Sequence, residues 1–137
     1  MSLGKRLIRA VSKNAAQTAP DDPDSRLRGR TLAVPFDRVW QNARELAGNL
    51  RGWRVVDADD QNGVIRAEAT NLIGRIGDVV ITISLDEDAQ TRVDLTSTSR
   101  KTGGDLGTNA RRIGKFLRHL DRALATAGTQ AKTARNP

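Results

Sequence analysis

The sequence predicts an α+β fold: an antiparallel sheet of about five strands with two long amphipathic helices on one face. Three observations predict it. Between residues 53 and 99, four runs alternate apolar and polar side chains, and the links between them are too short for a crossover, so neighbouring strands must be antiparallel. On either side of these runs, residues 36–50 and 106–127 carry apolar side chains at spacings of three and four, the period of a helix that buries one face. A chain of 137 residues is long enough to hold one core and short enough for one domain.

Taken in order, residues 2–16 read as a short basic amphipathic helix. Leu3, Leu7, Ile8, Val11 and Ala15 share a stripe, and Lys5, Arg6, Arg9 and Lys13 surround it. Of three roles open to such a segment, a targeting peptide is disfavoured by the lack of the ~7–15-residue apolar run that secretion needs, and two remain for the segment. It can dock on its own domain, or it can lie in an anionic membrane interface, where its stripe enters the boundary and each cation contributes ~1 kcal/mol. Residues 17–29 are a polar linker punctuated by Pro20 and Pro23, each of which pushes the residue before it out of helical geometry.

A single domain is expected over 30–127. "RTLAVP" (30–35) reads as a strand ended by Pro35. The helix that follows places Phe36, Val39, Trp40, Ala43, Leu46, Ala47 and Leu50 on one face. Four strands come next, at 53–59, 64–71, 78–86 and 91–99, with Val79, Ile81, Ile83, Leu85, Val93 and Leu95 expected on the dry side. The closing helix, 106–127, steps through Leu106, Ala110, Ile113, Leu117, Leu120, Leu124 and Ala127, with Arg111, Lys115, Arg118 and Arg122 as a parallel basic row. Gly128 is expected to stop it, leaving 128–137 as a disordered tail. The order β-α-β-β-β-β-α is helix-grip-like. By analogy with such folds, and because Ala67 and Ala69 are small, a cavity for a lipid or other hydrophobic ligand between the sheet and the last helix is an alternative to close packing.

Composition removes several functions. There is no Cys and one His, His119, which leaves no thiolate or His-rich metal site, no disulfide and no cysteine nucleophile. No cofactor or metal is expected. The turn "DADDQNG" (57–63) has Asn62 where a calcium loop needs its Gly, so a hairpin is the reading. No apolar run is long enough to span a bilayer as a helix. The net charge of +7 is segregated: +4 over residues 1–30, −4 over 31–99 and +7 over 100–137. The four aromatic residues, Phe36, Trp40, Trp53 and Phe116, all sit in apolar patterns, which makes them core rather than a stacking platform for nucleic acid.

The junction "SRKTGGDLGTNARRI" (99–113) concentrates the polar chemistry. Gly103-Gly104 lets the chain leave the last strand, and Asp105 stands where an N-cap belongs, accepting from the amides of Gly107 or Thr108. A carboxylate there fills the positive helix end that a phosphate would otherwise take. Asn109 shares a helix face with Asp105, Arg112 lies one turn on, and Arg100 is in reach of Asp105 or Asp78. The candidate ligand or partner site is therefore Asp78, Ser97, Ser99, Arg100, Asp105, Asn109 and Arg112, with a hydrogen-bonded clasp between strand end and helix start as the competing role. Asp57 with Asp78, or Glu68 with Asp94, are the carboxylate pairs an enzyme would need.

The stretch "STSRKTGGDLGTNARRI", preceded by "GDVVITI" and by "VPFDRVW", "GWRVVDAD" and "GVIRAEA", resembles a bacterial domain-of-unknown-function family, number 1499, over about residues 30–124. Ser97, Ser99, Arg100, Asp105, Gly107, Asn109, Arg112 and Ile113 carry the resemblance. It implies no established reaction and an association with the cell envelope. The expectation is a non-catalytic binding or scaffold domain, cytoplasmic and peripheral to the inner membrane face. Its expected contacts are an anionic membrane surface, through Leu3, Lys5, Arg6, Leu7, Ile8, Arg9, Val11 and Lys13, and an unknown protein or small ligand. A carboxylate-using enzyme and a nucleic-acid binder working through the basic helix are the rivals.

Overall fold

The computed structural model describes residues 15–100 and 107–135, with the side chains of the last helix described through residue 126. In chain order the elements are β1 (Ala15–Gln17), a 3-10 turn (Ser25–Leu27), β2 (Arg30–Leu32), α1 (Phe36–Asn49), β3 (Trp53–Asp59), β4 (Val64–Thr70), β5 (Ile76–Leu85), β6 (Thr91–Ser99) and α2 (Thr108–Arg135). The sheet has six strands and is antiparallel throughout, in the order β1-β6-β5-β4-β3. β2 also lies along β6. Thus β1 pairs with residues 96–98 and β2 with residues 91–93 of the same edge.

Alternation sorts the two sides of the sheet. Ile65, Ala67, Ala69, Val79, Ile81, Ile83, Val93 and Leu95 are buried beneath the helices. Against them pack Val39, Trp40, Ala43 and Ala47 of α1, and Ala110, Ile113, Phe116, Leu117 and Leu120 of α2. Each large side chain buried this way contributes about 1.5–3 kcal/mol. Trp53 stacks on Phe116 with ring centroids 5.5 Å apart, and Phe36 on Trp40 at 6.2 Å, so the four aromatics belong to the core. Ile113, Phe116, Leu117 and Leu120 have no exposed surface. Ala67 and Ala69 are themselves buried, and Ala69 belongs to the core cluster with the apolar side chains of α2.

The turns obey local rules. Asp59 accepts from the backbone and side chain of Asn62, at 3.2 and 2.7 Å. Gly63 closes that hairpin at φ 69°, and a Cβ there would collide with the Ile83 carbonyl. "DADDQNG" is therefore a hairpin, as its spacing implies.

Several expectations need correction. Ala15 and Ala16, placed at the end of the N-terminal helix, form strand β1: the open edge of β6 offers them ladder hydrogen bonds, and Ala16 is buried there. This makes six strands, not five. The rest of that segment, with Leu3, Lys5, Arg6, Leu7, Ile8, Arg9, Val11 and Lys13, lies outside the described residues. Residues 18–29 pack on the domain. Leu27 is fully buried, Arg26 lies against Gly114 of α2, and Thr18 fills the gap between β1 and β2 by bonding to the backbone of Leu95. β2 ends at Leu32, earlier than expected, and β5 starts at Ile76. Leu85, expected on the dry side, is exposed at the last position of β5. α2 continues to Arg135. Gly128 costs a helix only about 1 kcal/mol relative to Ala, and "TQAKTAR" beyond it contains residues that propagate one.

Candidate functional site

The sequence-predicted site residues divide between the two sides of the sheet. Ser97 and Ser99 point inward from β6, toward the first turns of α2. The Ser97 hydroxyl donates to Asn109 Oδ1 at 2.7 Å and accepts from Arg112 Nη1 at 3.0 Å. Arg112 Nη1 also donates to Asn109 Oδ1 at 3.0 Å, and Asn109 Nδ2 donates to Ser99 Oγ at 3.0 Å. Ser97 and Asn109 are buried, so these bonds satisfy groups whose desolvation would otherwise be costly. The result is a clasp that ties the end of β6 to the start of α2. Asp105, also part of the expected site, lies outside the described residues, as do Gly103 and Gly104.

Arg100 and Asp78 lie on the opposite, outer side. In the β4–β5 register Glu68 faces Asp78 directly, an arrangement that like charges disfavour. Two arginines offset it. Arg100 grips Asp78 through Nε at 3.0 Å and Nη2 at 2.8 Å. Its Nη2 also contacts Glu68, which Arg54 holds from the other side. Hydrogen bonding to Arg54 first, then to Arg100, holds the Glu68 carboxyl below its ordinary range. Arg100 does the same to Asp78, and the two carboxylates, Asp78 foremost, raise the Arg100 guanidinium. Of the two reaches foreseen for Arg100, the one to Asp78 is made, and Asp105 lies outside the described residues.

The two carboxylate pairs do not meet. Asp57 lies opposite Arg66, with β4 between it and Asp78. Glu68 aligns with Asp78 and Thr98, whereas Asp94 aligns with Thr82 and Val64, several residues along the sheet. The carboxylates that do meet, Glu68 and Asp78, are kept ionised by arginine and hold no proton to donate at neutral pH.

An open groove of about 750 Å³ lies beside the clasp, at the end of the sheet where β3 begins and β4 ends. Trp53, Ala69 and Leu72 supply its apolar surface, and Arg51, Arg111, Arg112 and Lys115 its charge. None of its lining residues is acidic. A second basic hollow, about 390 Å³, contains Arg26, Arg28, Arg30 and Arg118. There Arg26 is bound to Asp24, Arg30 to Asp121 and Arg28 to the carbonyls of Asp22 and Pro23. Among the described residues, Arg51, Arg111 and Lys115 of the first groove make no ion pair, so its field is the less neutralised at those three positions. Among the described residues, no group of three or more acidic or His side chains could hold a metal ion.

The family described as "Protein of unknown function (DUF1499)" matches residues 9–120. The chain belongs to that family. The DUF1499 match begins well before residue 30, so it takes in β1 and the 3-10 turn together with the sheet, the clasp, the groove and α2 as far as residue 120. No curated protein matches the chain.

Sequence reasoning missed the groove of this DUF1499 domain. Its cations come from two places far apart in the chain: the link after α1 (Arg51) and the first turns of α2 (Arg111, Arg112 and Lys115). Only the basic row Arg111, Lys115, Arg118, Arg122 was a visible signal, and only its first two members line the groove. The β4–β5 loop was missed as well. Asn71 Oδ1 accepts from the amides of Ile73 and Arg75, at 3.1 and 2.9 Å, and Gly74 turns the chain at φ 81°. This leaves Leu72 95% and Ile73 73% exposed.

Proposed function

We propose that this DUF1499 chain is a non-catalytic binding domain that sits peripherally on an anionic membrane surface, at the cytoplasmic side of the inner membrane. One observation carries the reading. Ala15 pairs with Thr98, so the chain that precedes it, with Lys5, Arg6, Arg9 and Lys13, enters the sheet at the same end as the groove lined by Arg51, Arg111, Arg112 and Lys115. The opposite end carries the turns with Asp59, Asp60, Asp86, Glu87 and Asp88. An anionic surface therefore attracts one end of the domain and repels the other.

Magnitudes favour joint action. Four cations at ~1 kcal/mol each give ~4 kcal/mol, which is millimolar binding. Arg51, Arg111 and Lys115 in the groove bring the sum to ~7 kcal/mol, about ten micromolar. No helix among the described residues is long and apolar enough to cross a membrane. The test is co-sedimentation of the full chain with vesicles of phosphatidylcholine, with and without phosphatidylglycerol. Binding only to the anionic vesicles, weakened when residues 1–14 are removed, is the expected result. Equal recovery with both vesicles, or binding to DNA and to neither, overturns the reading.

A further inference from the structure

We infer that the Leu72–Ile73 tip is a second membrane-contacting element, whose two side chains enter the headgroup boundary of an anionic bilayer while Arg51, Arg111 and Lys115 beside it meet lipid phosphates. This rests on the peripheral-membrane reading above and adds the orientation and the contact residues. Four observations support it. Leu72 and Ile73 are consecutive and, of the large hydrophobic side chains, the two most exposed among the described residues; Val56 and Leu85 are exposed singly and elsewhere. The tip is built rather than slack, since Asn71 fixes it through its side chain and through the backbone pairs Asn71 N to Arg75 O and Gly74 N to Asn71 O, both 3.0 Å. Leu72 itself lines the groove that carries Arg51, Arg111 and Lys115, so apolar and cationic groups are contiguous, as an anionic interface requires. The acidic hairpin turns lie at the far end of the strands.

A second copy of the chain fits this surface poorly. Two apolar side chains fall far short of the roughly 1,200 Å² of a stable interface, and a two-fold contact would bring each groove's cations against their own copies.

The test exploits a chain that has no cysteine. Leu72→Cys and, at the acidic end, Glu87→Cys are each labelled in the full chain with an environment-sensitive NBD group. On phosphatidylglycerol vesicles the label at 72 should shift to the blue and be quenched by nitroxide lipids, and the label at 87 should not respond. Leu72→Asp with Ile73→Asp should keep the native melting curve and weaken vesicle binding by roughly ten- to a hundred-fold, the factor that exposing one buried leucine-sized side chain implies. If the chain sediments with vesicles while the label at 72 stays in water and the Asp variant binds normally, this inference fails and the peripheral reading stands. An equal response at 72 and 87 overturns the orientation. No sedimentation at all removes both, and assembly without lipid that the Asp variant abolishes assigns the tip to a protein contact instead.

Discussion

The guanidinium of Arg112 occupies the space that a side chain at Gly77 would need. A Cβ built on Gly77 collides with Arg112 Nη1 and stands 3.1 Å from the Thr98 carbonyl. Gly77 lies opposite Ser99 and beside Ala69 in the sheet, so the missing side chain lets Arg112 reach Ser97 and Asn109. Gly77→Ala should displace the arginine and lower stability by about 1–3 kcal/mol, read as a lower urea midpoint. In an Arg112→Met background the same change should cost much less, and strict additivity would show that the two residues are not coupled.

Asn109→Ala removes the hub of the clasp, leaving Ser97 buried without its acceptor and Ser99 without its donor. The expected loss is about 2 kcal/mol, against about 1 kcal/mol for Ser97→Ala, measured by urea unfolding. Vesicle binding per folded molecule should hold in Ser97→Ala, because Ser97 does not line the groove.

Glu68 and Asp78 are both held below their ordinary values by arginine. The folded state therefore gains from their ionisation at neutral pH. It loses that gain as the pH falls from the ordinary carboxylate range, about 4, through the depressed folded values. In Arg100→Met the two carboxylates face each other with only Arg54 left. Its stability should be below the parent's at pH 7 and converge with it as the pH falls below 4. A constant difference between the two urea midpoints across that range would contradict this assignment.

Leu27→Ala should cost about 2–5 kcal/mol, the loss of a fully buried leucine. A thermal melt reads it. A change within 0.5 kcal/mol, the usual scale for a surface site, would mean that the stretch 18–29 is a loose connector after all.

Where periodicity was strong, the sequence was enough. β6 shows nine residues of strict alternation, and its limits, 91–99, were legible residue by residue. β1 was not, because three residues carry no period and its stability comes from an edge about 80 positions away in the chain. Leu27 is one apolar residue in a polar run, and nothing local says that it is buried. In the site, nearness in sequence put Ser97, Ser99, Asn109 and Arg112 into one candidate cluster, while the bonds between them depend on how β6 and α2 pack. The same alternation, carried one residue further, puts Arg100 on the other side of the sheet, where its bond to Asp78 follows from the β5–β6 pairing. The groove depends on three segments meeting, which no single stretch encodes.

The central claim is that location, not total charge, directs the domain to an anionic surface. The most direct measurement compares two variants with the same net charge on phosphatidylglycerol vesicles at low and at physiological salt. Arg111→Glu with Lys115→Glu reverses the groove, and Arg38→Glu with Arg44→Glu reverses the exposed side of α1. The groove variant should lose binding by roughly a hundred-fold or more, two reversed charges each removing ~1 kcal/mol of attraction and adding as much repulsion, while the α1 variant stays within a few-fold of the parent. Equal losses in the two variants would contradict the account.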